Sequence, residues 1–422
     1  MQVAQVLVLT NAPKMYSYLI ESTMCVQVGQ YVDIIFAKRN IQGLVMHIQP
    51  FEKKDYPYAL STIKSICEKK PIVPHEILTL IPWFSSYYCV SYYHAHQCII
   101  GNKKHRDVSQ PKTIISESLP ALSEQQNKIK QDILNNKKND HLIHGVTGSG
   151  KTLIYAHLIQ SFIEKNTASI VLIPEISLTP QFTSFFSSVF PSVGVIHSGL
   201  TPKQKDEIWN LCLNGDLNII IGPRSAIFMP IKNLGLIIID EEHDASYKQD
   251  SQPRYLTHEV ARKRAKIHTA TLIFGSATPS LDTYAKIEEQ NSGYHLLNER
   301  HNNLPMPNVQ VLDLNTSIHH KVIHDTLLQQ IDRAIEEKKK VLLLVNRRGY
   351  SSFLKCQKCG HVDACPKCDT SYTYHSDGTF QCHRCGITIP MSRQCKRCGH
   401  FGIEFSGIAI QKITMEIQRL FP

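Results

Sequence analysis

No stretch of this 422-residue chain approaches the roughly 18 consecutive apolar residues that a membrane helix requires, and the opening MQVAQVLVLTNAPKM lacks the basic start that precedes the apolar run of a secretory signal. These absences speak against a bilayer span and against export, so a cytoplasmic protein with no membrane partner is expected. Internal repeats are missing, and low-complexity sequence is confined to short Lys and Asn clusters, which sets solenoids and biased-composition tails aside. Acidic residues are in deficit, 36 Asp and Glu against 46 Lys and Arg, for a net charge of +10. That excess favours a polyanionic partner, although many ordinary enzymes are equally basic. What is present suits a globular chain: 42% apolar residues can fill a core in each of the about two to four domains that this length allows. Cysteine is not scarce. Thirteen of them in a reducing compartment point to metal ligation or catalysis rather than disulfides.

Residues 3–9, 25–36 and 41–48 are rich in β-branched and aromatic side chains and are broken at Gly29 and Gly43, so the first hundred or so residues read as a small barrel or sheet. Residues 73–93 then space Ile77, Leu78, Ile81 and Phe84 as a helix that Pro82 should kink. Tyr87, Tyr88, Tyr92 and Tyr93 are followed by Lys103, Lys104, His105 and Arg106. Aromatics beside cations suit a nucleic-acid strand, and they suit equally well core tyrosines next to a solvated linker. A polar linker follows over about 107–118. Ser123, with Gln126 three residues on, forms a capping box that opens a helix. Short apolar strands at 142–144, 170–173, 193–196, 218–221, 236–239 and 271–274 then alternate with amphipathic helices. Strands buried on both faces and separated by helices predict a parallel α/β sheet. A second such sheet is expected to start at 341–345.

GVTGSGKT, residues 145–152, matches G-x-x-x-x-G-K-T between a strand and a helix expected over 153–164. In such a loop Gly145, Val146, Thr147, Gly148, Ser149 and Gly150 turn backbone N–H groups toward phosphate oxygens, Lys151 reaches the β- and γ-phosphates, and the Thr152 hydroxyl ligates Mg²⁺. The site therefore predicts ATP and Mg²⁺ as cofactors. LGLIIIDEEHD, residues 234–244, is a buried strand ending in carboxylates, the position at which an α/β sheet presents groups to a ligand. Asp240 would hold the metal and Glu241 would orient and deprotonate the attacking water.

Eight of the cysteines form C-x-x-C pairs: Cys356 with Cys359, Cys365 with Cys368, Cys382 with Cys385, and Cys395 with Cys398. Each pair supplies half of a tetrahedral thiolate site, so the pattern predicts two Zn²⁺ ions, with the four pairs free to combine in any of three ways. Over residues 351–400 seven Lys and Arg stand against three Asp, an excess that eight thiolates on two zinc ions would cancel. A structural or docking role fits this better than an intense basic patch. Cys25, Cys67, Cys89, Cys98 and Cys212 are scattered and read as buried small apolar residues.

VLIPEISLTPQ (171–181), HSGL (197–200), IIIGPRSAIFMP (219–230), DEEHDASYKQ (240–249) and GSATPS (275–280) resemble the successive motifs of superfamily-2 DNA helicases. Their wording is similar to the PriA family of bacterial primosomal replication-restart helicases, from the first residues of the chain to the last. The resemblance implies that Gln126 contacts adenine, that GSAT couples hydrolysis to movement between lobes, and that Tyr247, Lys248, Arg254 and Tyr255 signal DNA occupancy to Asp240 and Glu241. It implies a nested zinc pairing: an outer site of Cys356, Cys359, Cys395 and Cys398, and an inner one of Cys365, Cys368, Cys382 and Cys385. It also implies an amino-terminal pocket for the 3′ end of a DNA strand, with Tyr16, Tyr18 and Lys38 as contacts.

The chain departs from the family's pattern at several points. The family's F-D-Y reads Tyr16-Ser17-Tyr18 and its F-G-K reads Phe36-Ala37-Lys38, so a 3′-hydroxyl loses a carboxylate acceptor and altered end recognition is expected. About fifteen residues separate the barrel from the helicase, too few for the winged-helix module of many members. The family's G-x-G-T-E reads Gly407-Ile408-Ala409-Ile410-Gln411, and the late Q-x-x-G-R-x-G-R motif with its arginine finger does not occur. Such a finger contributes on the order of 10³ to 10⁵ in rate. The expectation is a chain truncated within its second lobe that binds ATP and DNA but hydrolyses and unwinds poorly.

The expected fold is α/β: a RecA-like P-loop helicase lobe with a parallel sheet, an amino-terminal β-rich DNA-binding domain, an inserted two-zinc module and an incomplete second RecA-like lobe. Its expected organisation is a 3′-end DNA-binding domain at 1–106, a linker at 107–118, lobe 1 at 119–300, the start of lobe 2 at 301–355, the zinc module at 356–399 and the rest of lobe 2 at 400–422. The expected function is an ATP-dependent 3′ to 5′ DNA helicase that recognises stalled forks and promotes restart by primosome assembly. The alternative is a catalytically weak fork-binding scaffold that recruits primosome proteins. Forked and single-stranded DNA, primosome proteins and single-strand-binding proteins are the expected partners of a monomer.

Overall fold

The computed structural model describes the chain except residues 13, 107, 109–117, 137–139, 290–291, 301–304, 306, 315–322, 345–352, 357, 369–371, 375–378, 383, 391–393, 402, 407–409 and 422. Most of the expected linker, Val345 at the end of the expected second-sheet strand, and Gly407, Ile408 and Ala409 lie outside the described residues. Two units are formed, Met1–Pro305 and Met306–Pro422.

The first unit opens with β1 (Gln2–Val8), β2 (Tyr16–Ile20), β3 (Tyr31–Phe36), β4 (Arg39–Pro50) and β5 (Ser65–Ile66), an antiparallel sheet in the order β2-β1-β4-β3-β5. Period-two alternation sends Ala4, Val6, Val8, Val32 and Ile34 to one apolar cluster, while Leu7, Tyr31 and Leu44 face the other way. That second face is covered by α1 (His75–Tyr87) and α2 (Tyr92–Ile99). The single helix expected over 73–93 is thus two. Pro82 sits inside α1, and the break comes at residues 88–91, where the Ser91 hydroxyl accepts from His94 N and caps α2.

At the β3–β4 hairpin Phe36 pairs with Arg39, and the two loop residues Ala37 and Lys38 have φ of +47° and +62°. Two-residue hairpin loops of this kind favour Asn and Gly, because a Cβ in the left-handed region costs about 1–2 kcal/mol. Ala37→Gly is therefore expected to stabilise this sheet by about 0.5–1 kcal/mol after the entropy cost of glycine. Chemical denaturation followed by the fluorescence of the adjacent sheet would check the sign.

The α/β part contains α3 (Glu124–Asn135), β6 (Asp140–Gly145), α4 (Lys151–Glu164), β7 (Ala168–Leu172), α5 (Pro180–Val189), β8 (Val193–Val195), α6 (Pro202–Asn214), β9 (Ile219–Gly222), β10 (Leu234–Asp240), α7 (Thr257–His268), β11 (Thr271–Ser276), α8 (Leu281–Glu289) and β12 (Gly293–Leu297). The strands form one parallel sheet in the order β12-β6-β11-β10-β7-β9-β8. Its central strands carry Ile, Leu and Val on both faces and are fully buried, which is why each reads as a continuous apolar run. The capping box of α3 is formed: Ser123 Oγ accepts from Gln126 N, and Ser123 N donates to Gln126 Oε1.

The amino-terminal sheet is fastened to this α/β part. Phe84 packs on Phe228 and Tyr255, the Tyr88 hydroxyl bonds the backbone of Leu256, and one apolar core runs through both. The basic strip closes the junction from the other side. Lys103 and Arg106 each approach Asp206 to 3.8 Å, Lys103 lies over the Trp209 ring, and Asn210 donates to Lys104 O.

The second unit contains α9 (Asp325–Glu336), β13 (Phe353–Cys356), β14 (Thr373–Tyr374), β15 (Thr379–Gln381), β16 (Thr388–Pro390), β17 (Ile403–Ser406) and α10 (Ile410–Leu420). Strands β13 and β17 pair antiparallel, as do β14, β15 and β16. Ile323, Leu328 and Ile331 pack with Ile413, Ile417, Leu420 and Phe421.

Two expectations are corrected. Residues 341–344 form no strand, and Leu342 and Leu344 are 93% and 89% exposed. A buried parallel strand exists only between neighbours, and none pairs with this run among the described residues. Cys25 and Cys89 are exposed, while Cys212 alone of the scattered five is buried. Among the described residues no helix is long and apolar enough to cross a membrane.

Candidate functional site

Strands β6, β11 and β10 lie side by side and run the same way, so the loops that follow them meet at one edge of the sheet. Those loops carry GVTGSGKT, GSAT and DEEH. Gly150, with φ +81°, ends the phosphate loop where a Cβ would lie 2.5 Å from Gln126 Nε2. Gln126 is buried, its Oε1 accepting from Ser123 N and its Nε2 donating to Ser149 O. The glutamine expected to contact adenine therefore braces the loop from inside. Lys151 Nζ donates to Gly145 O at 2.8 Å. Ser149 is 2% exposed, and its hydroxyl has no partner among the described residues, an orphan that a phosphate oxygen would satisfy.

Asp240 ends β10 buried, with one carboxylate oxygen accepting from the Tyr155 hydroxyl at 2.9 Å. Burial, reinforced by the neighbouring Glu241 charge, pushes its pKa up to about 6 against the pull of Tyr155 and Lys151. Glu241 has φ +44° and lies 3.6 Å from His243 Nδ1, which in turn contacts Ser276 Oγ of GSAT at 2.7 Å. A direct bridge thus joins the carboxylate strand to the motif on β11.

Glu242 points into the protein. It accepts from Ser280 N, Ser280 Oγ, Thr283 Oγ1 and His258 Nε2, which hold its carboxyl below the usual range even though burial works in the opposite direction. Tyr155, Glu242 and Arg300, whose Nε donates to Thr147 O, were not anticipated from the sequence. Tyr155 and Arg300 belong to no consecutive motif that would have flagged them, and the DEEH string does not say that Glu242 turns inward.

The aromatic loop after DEEH does not present its rings. Tyr247 and Tyr255 are 1% and 2% exposed: the Tyr247 hydroxyl reaches Leu172 O and Asp240 O, and Tyr255 packs on Phe84 and Phe228. Their apolar bodies are worth more in the core than in water, and this corrects their assignment as DNA contacts. Lys248 and Arg254 remain exposed, Lys248 Nζ donating to Arg254 O. Glu175, His197 and Arg224, from three of the other helicase-like segments, line a cleft of about 320 Å³ together with Ser198, Lys205 and Gln249. Arg224 there donates to Ser246 O and Lys248 O.

In the amino-terminal sheet Tyr18 is 4% exposed and its hydroxyl donates to Ile35 O, so it too is a core residue rather than an exposed contact. Tyr16 is half-buried, edge-on to Phe36, and Lys38 is exposed at the hairpin tip. Ser17 Oγ accepts from Gln5 Nε2.

The cysteines gather into two sets of four, Cys356, Cys359, Cys395 and Cys398, and Cys365, Cys368, Cys382 and Cys385, the nested combination. Cys356 lies 3.6 Å from Cys398, Cys359 3.7 Å from Cys395 and Cys365 3.5 Å from Cys385, sulfur to sulfur. Disulfides require about 2.05 Å, whereas sulfurs about 2.3 Å from a tetrahedral zinc stand about 3.8 Å apart. Backbone turns shape each site: Gly360 N, Gly386 N and Gly399 N donate to the carbonyls of Cys356, Cys382 and Cys395. The donor set and the spacing both fit zinc.

A parallel sheet with a phosphate loop, a metal-type aspartate and a bridging GSAT segment at one edge defines a P-loop helicase lobe. Residues 123–287 match the DEAD/DEAH box helicase family, and residues 5–101 match the 3′DNA-binding domain (3′BD) family of PriA proteins. Replication restart protein PriA of Bacillus subtilis (strain 168) is 40% identical over 73% of this chain and 39% of its own length. The Rickettsia felis protein of the same name is 34% identical over 100% of this chain and 66% of its own length, and the Haemophilus influenzae one 36% over 67% and 39%. The chain belongs to the PriA family of replication restart proteins, and it spans 39% to 66% of the length of these three relatives.

Proposed function

We propose that the chain is an ATP- and Mg²⁺-dependent DNA helicase, moving 3′ to 5′, that recognises stalled forks and promotes replication restart by assembling a primosome. The observation that carries this reading is the joining, in one unit, of a 3′DNA-binding sheet to a lobe whose phosphate loop and DEEH carboxylates share one edge. Residues 1–106 would bind the DNA end, 119–300 the nucleotide and 356–399 two zinc ions, with 301–355 and 400–422 belonging to a second lobe.

Thr152 and Asp240 would hold Mg²⁺, which supplies charge neutralisation across the β- and γ-phosphates. The remaining work belongs to the chain's own groups. Lys151 neutralises phosphate charge, the phosphate-loop N–H groups orient the nucleotide, and Glu241 positions the water and takes its proton. Lys248, Arg254 and the Arg224 cleft are the exposed polar features of the lobe suited to a phosphodiester backbone. Single-strand-binding and primosome proteins are the proposed protein partners of a cytoplasmic monomer.

ATP hydrolysis measured with and without forked DNA tests the reading, and stimulation by the fork is expected. A second reading, a catalytically weak fork-binding scaffold that recruits primosome proteins, is favoured by the exposed run at 341–344, which pairs with no strand among the described residues. Background hydrolysis indifferent to DNA would select it. With Ser17 already engaged by Gln5 and no carboxylate in that position, forks ending in a 3′-hydroxyl and in a 3′-phosphate are expected to bind with comparable affinity. Strong preference for the hydroxyl in a competition assay would refute that.

A further inference from the structure

From this geometry we infer that Tyr155 is a positioning residue for the divalent metal, orienting the Asp240 carboxylate through a hydrogen bond that the absence of a side chain at Gly275 makes possible. The inference deepens the proposed role of Asp240 and rests on it. Lys151 and Tyr155 are four residues apart on α4, so the helix that begins with the phosphate-binding lysine places the tyrosine one turn further on the same face. Tyr155 is fully buried, and its hydroxyl donates to Asp240 Oδ1 at 2.9 Å. A phenol hydroxyl in an apolar core is costly unless it is paired, and here its partner is the carboxylate.

The neighbouring strand is shaped around this contact. A Cβ on Gly275 would lie 1.7 Å from the Tyr155 hydroxyl oxygen and 3.3 Å from Asp240 Oδ1. Gly275 begins GSAT, so the glycine of that segment has a steric task separate from the Ser276 contact with His243. On the main chain Tyr247 completes the arrangement, its hydroxyl within 2.6 Å of Asp240 O and 2.9 Å of Leu172 O. The end of β10 is thereby held at its carbonyl by one tyrosine and at its carboxylate by another. A carboxylate fixed in this way binds a metal without first losing rotamer freedom, which is the effect of outer-shell hydrogen bonds on metal ligands generally.

The test uses the full chain with ADP, and Mn²⁺ as the probe, bound metal being counted by electron paramagnetic resonance. Tyr155→Phe is expected to weaken Mn²⁺ binding by about tenfold while leaving the affinity for a fluorescent ADP analogue in EDTA unchanged. Gly275→Ala, which displaces the ring from the other side, is expected to do the same. Wild-type Mn²⁺ affinity in both variants overturns the inference, and so does an equal loss of nucleotide affinity without metal, because that is the mark of a packing role. Asp240→Asn separates the two levels. If it abolishes the Mn²⁺ site while the Tyr155 and Gly275 variants keep it, only the positioning role falls; if it leaves the site intact, the metal reading of Asp240 falls first.

Discussion

Removing metal from the cysteine clusters is expected to unfold the module around them while the unit Met1–Pro305 stays folded. The apolar core of the module consists of Cys365, Tyr372, Phe380 and Cys382, with Cys368, Ile387 and Ile389 packed against it, so three of its seven members are themselves proposed ligands. Its strands are two to four residues long. Strands that short are not stable alone, and in structural zinc sites the metal supplies about 10–16 kcal/mol of apparent binding energy that is also folding energy. Without the metal, thiolates within 4.8 Å of one another would repel or reprotonate instead of holding the turns together. A chelator under reducing conditions should release two Zn²⁺ per chain and open the module to proteolysis, whereas cleavage within Met1–Pro305 should not increase. Release of one metal or none, or an unchanged digestion pattern, contradicts the expectation. Cys365→Ser should reproduce the loss for the inner site alone.

How much was legible beforehand depended on whether a feature is written consecutively. The phosphate loop, DEEH and the four C-x-x-C pairs are local strings; the loop lies between a strand and a helix, and DEEH follows a buried strand, as expected. The parallel sheet was legible for a similar reason, because strands buried on both faces need no alternation and show as apolar runs. What failed were inferences about the direction in which a side chain points. Tyr18, Tyr247 and Tyr255 have the composition of a stacking surface, but an aromatic next to a cation has the same composition whether its ring faces solvent or the core. The basic strip at 103–106 looked like a DNA contact or a solvated linker and became a clasp, since its acidic counterpart Asp206 lies a hundred residues further on. Tyr155 and Arg300, and the inward turn of Glu242 within DEEH, are invisible for the converse reason. Their partners Asp240, Ser280 and Thr147 come from other parts of the chain, and only the strand order β6-β11-β10 brings them together.

The same strand order makes Lys151 the residue whose loss should be felt most. Its ammonium group lies buried at the start of α4, donating to Gly145 O, close enough to Asp240 to lower the pKa of that carboxyl. A cation held there has little water to screen it, so its interaction with a β- or γ-phosphate is stronger than at the surface. Hydrogen bonds to charged groups contribute about 1.5–3 kcal/mol, which corresponds to roughly 10- to 150-fold in affinity. Lys151→Ala is therefore expected to weaken binding of a fluorescent ATP analogue by that factor. The fold should be unaffected, because the alanine removes a buried charge whose hydrogen-bond partner among the described residues is the Gly145 carbonyl, which bridging water can satisfy. Hydrolysis should fall further than binding, since negative charge builds on the leaving β-phosphate oxygens toward the transition state and the lysine meets it there. Wild-type affinity in this variant would mean that the loop does not bind nucleotide through its lysine. An equal drop in thermal stability would assign Lys151 to the fold instead of the site.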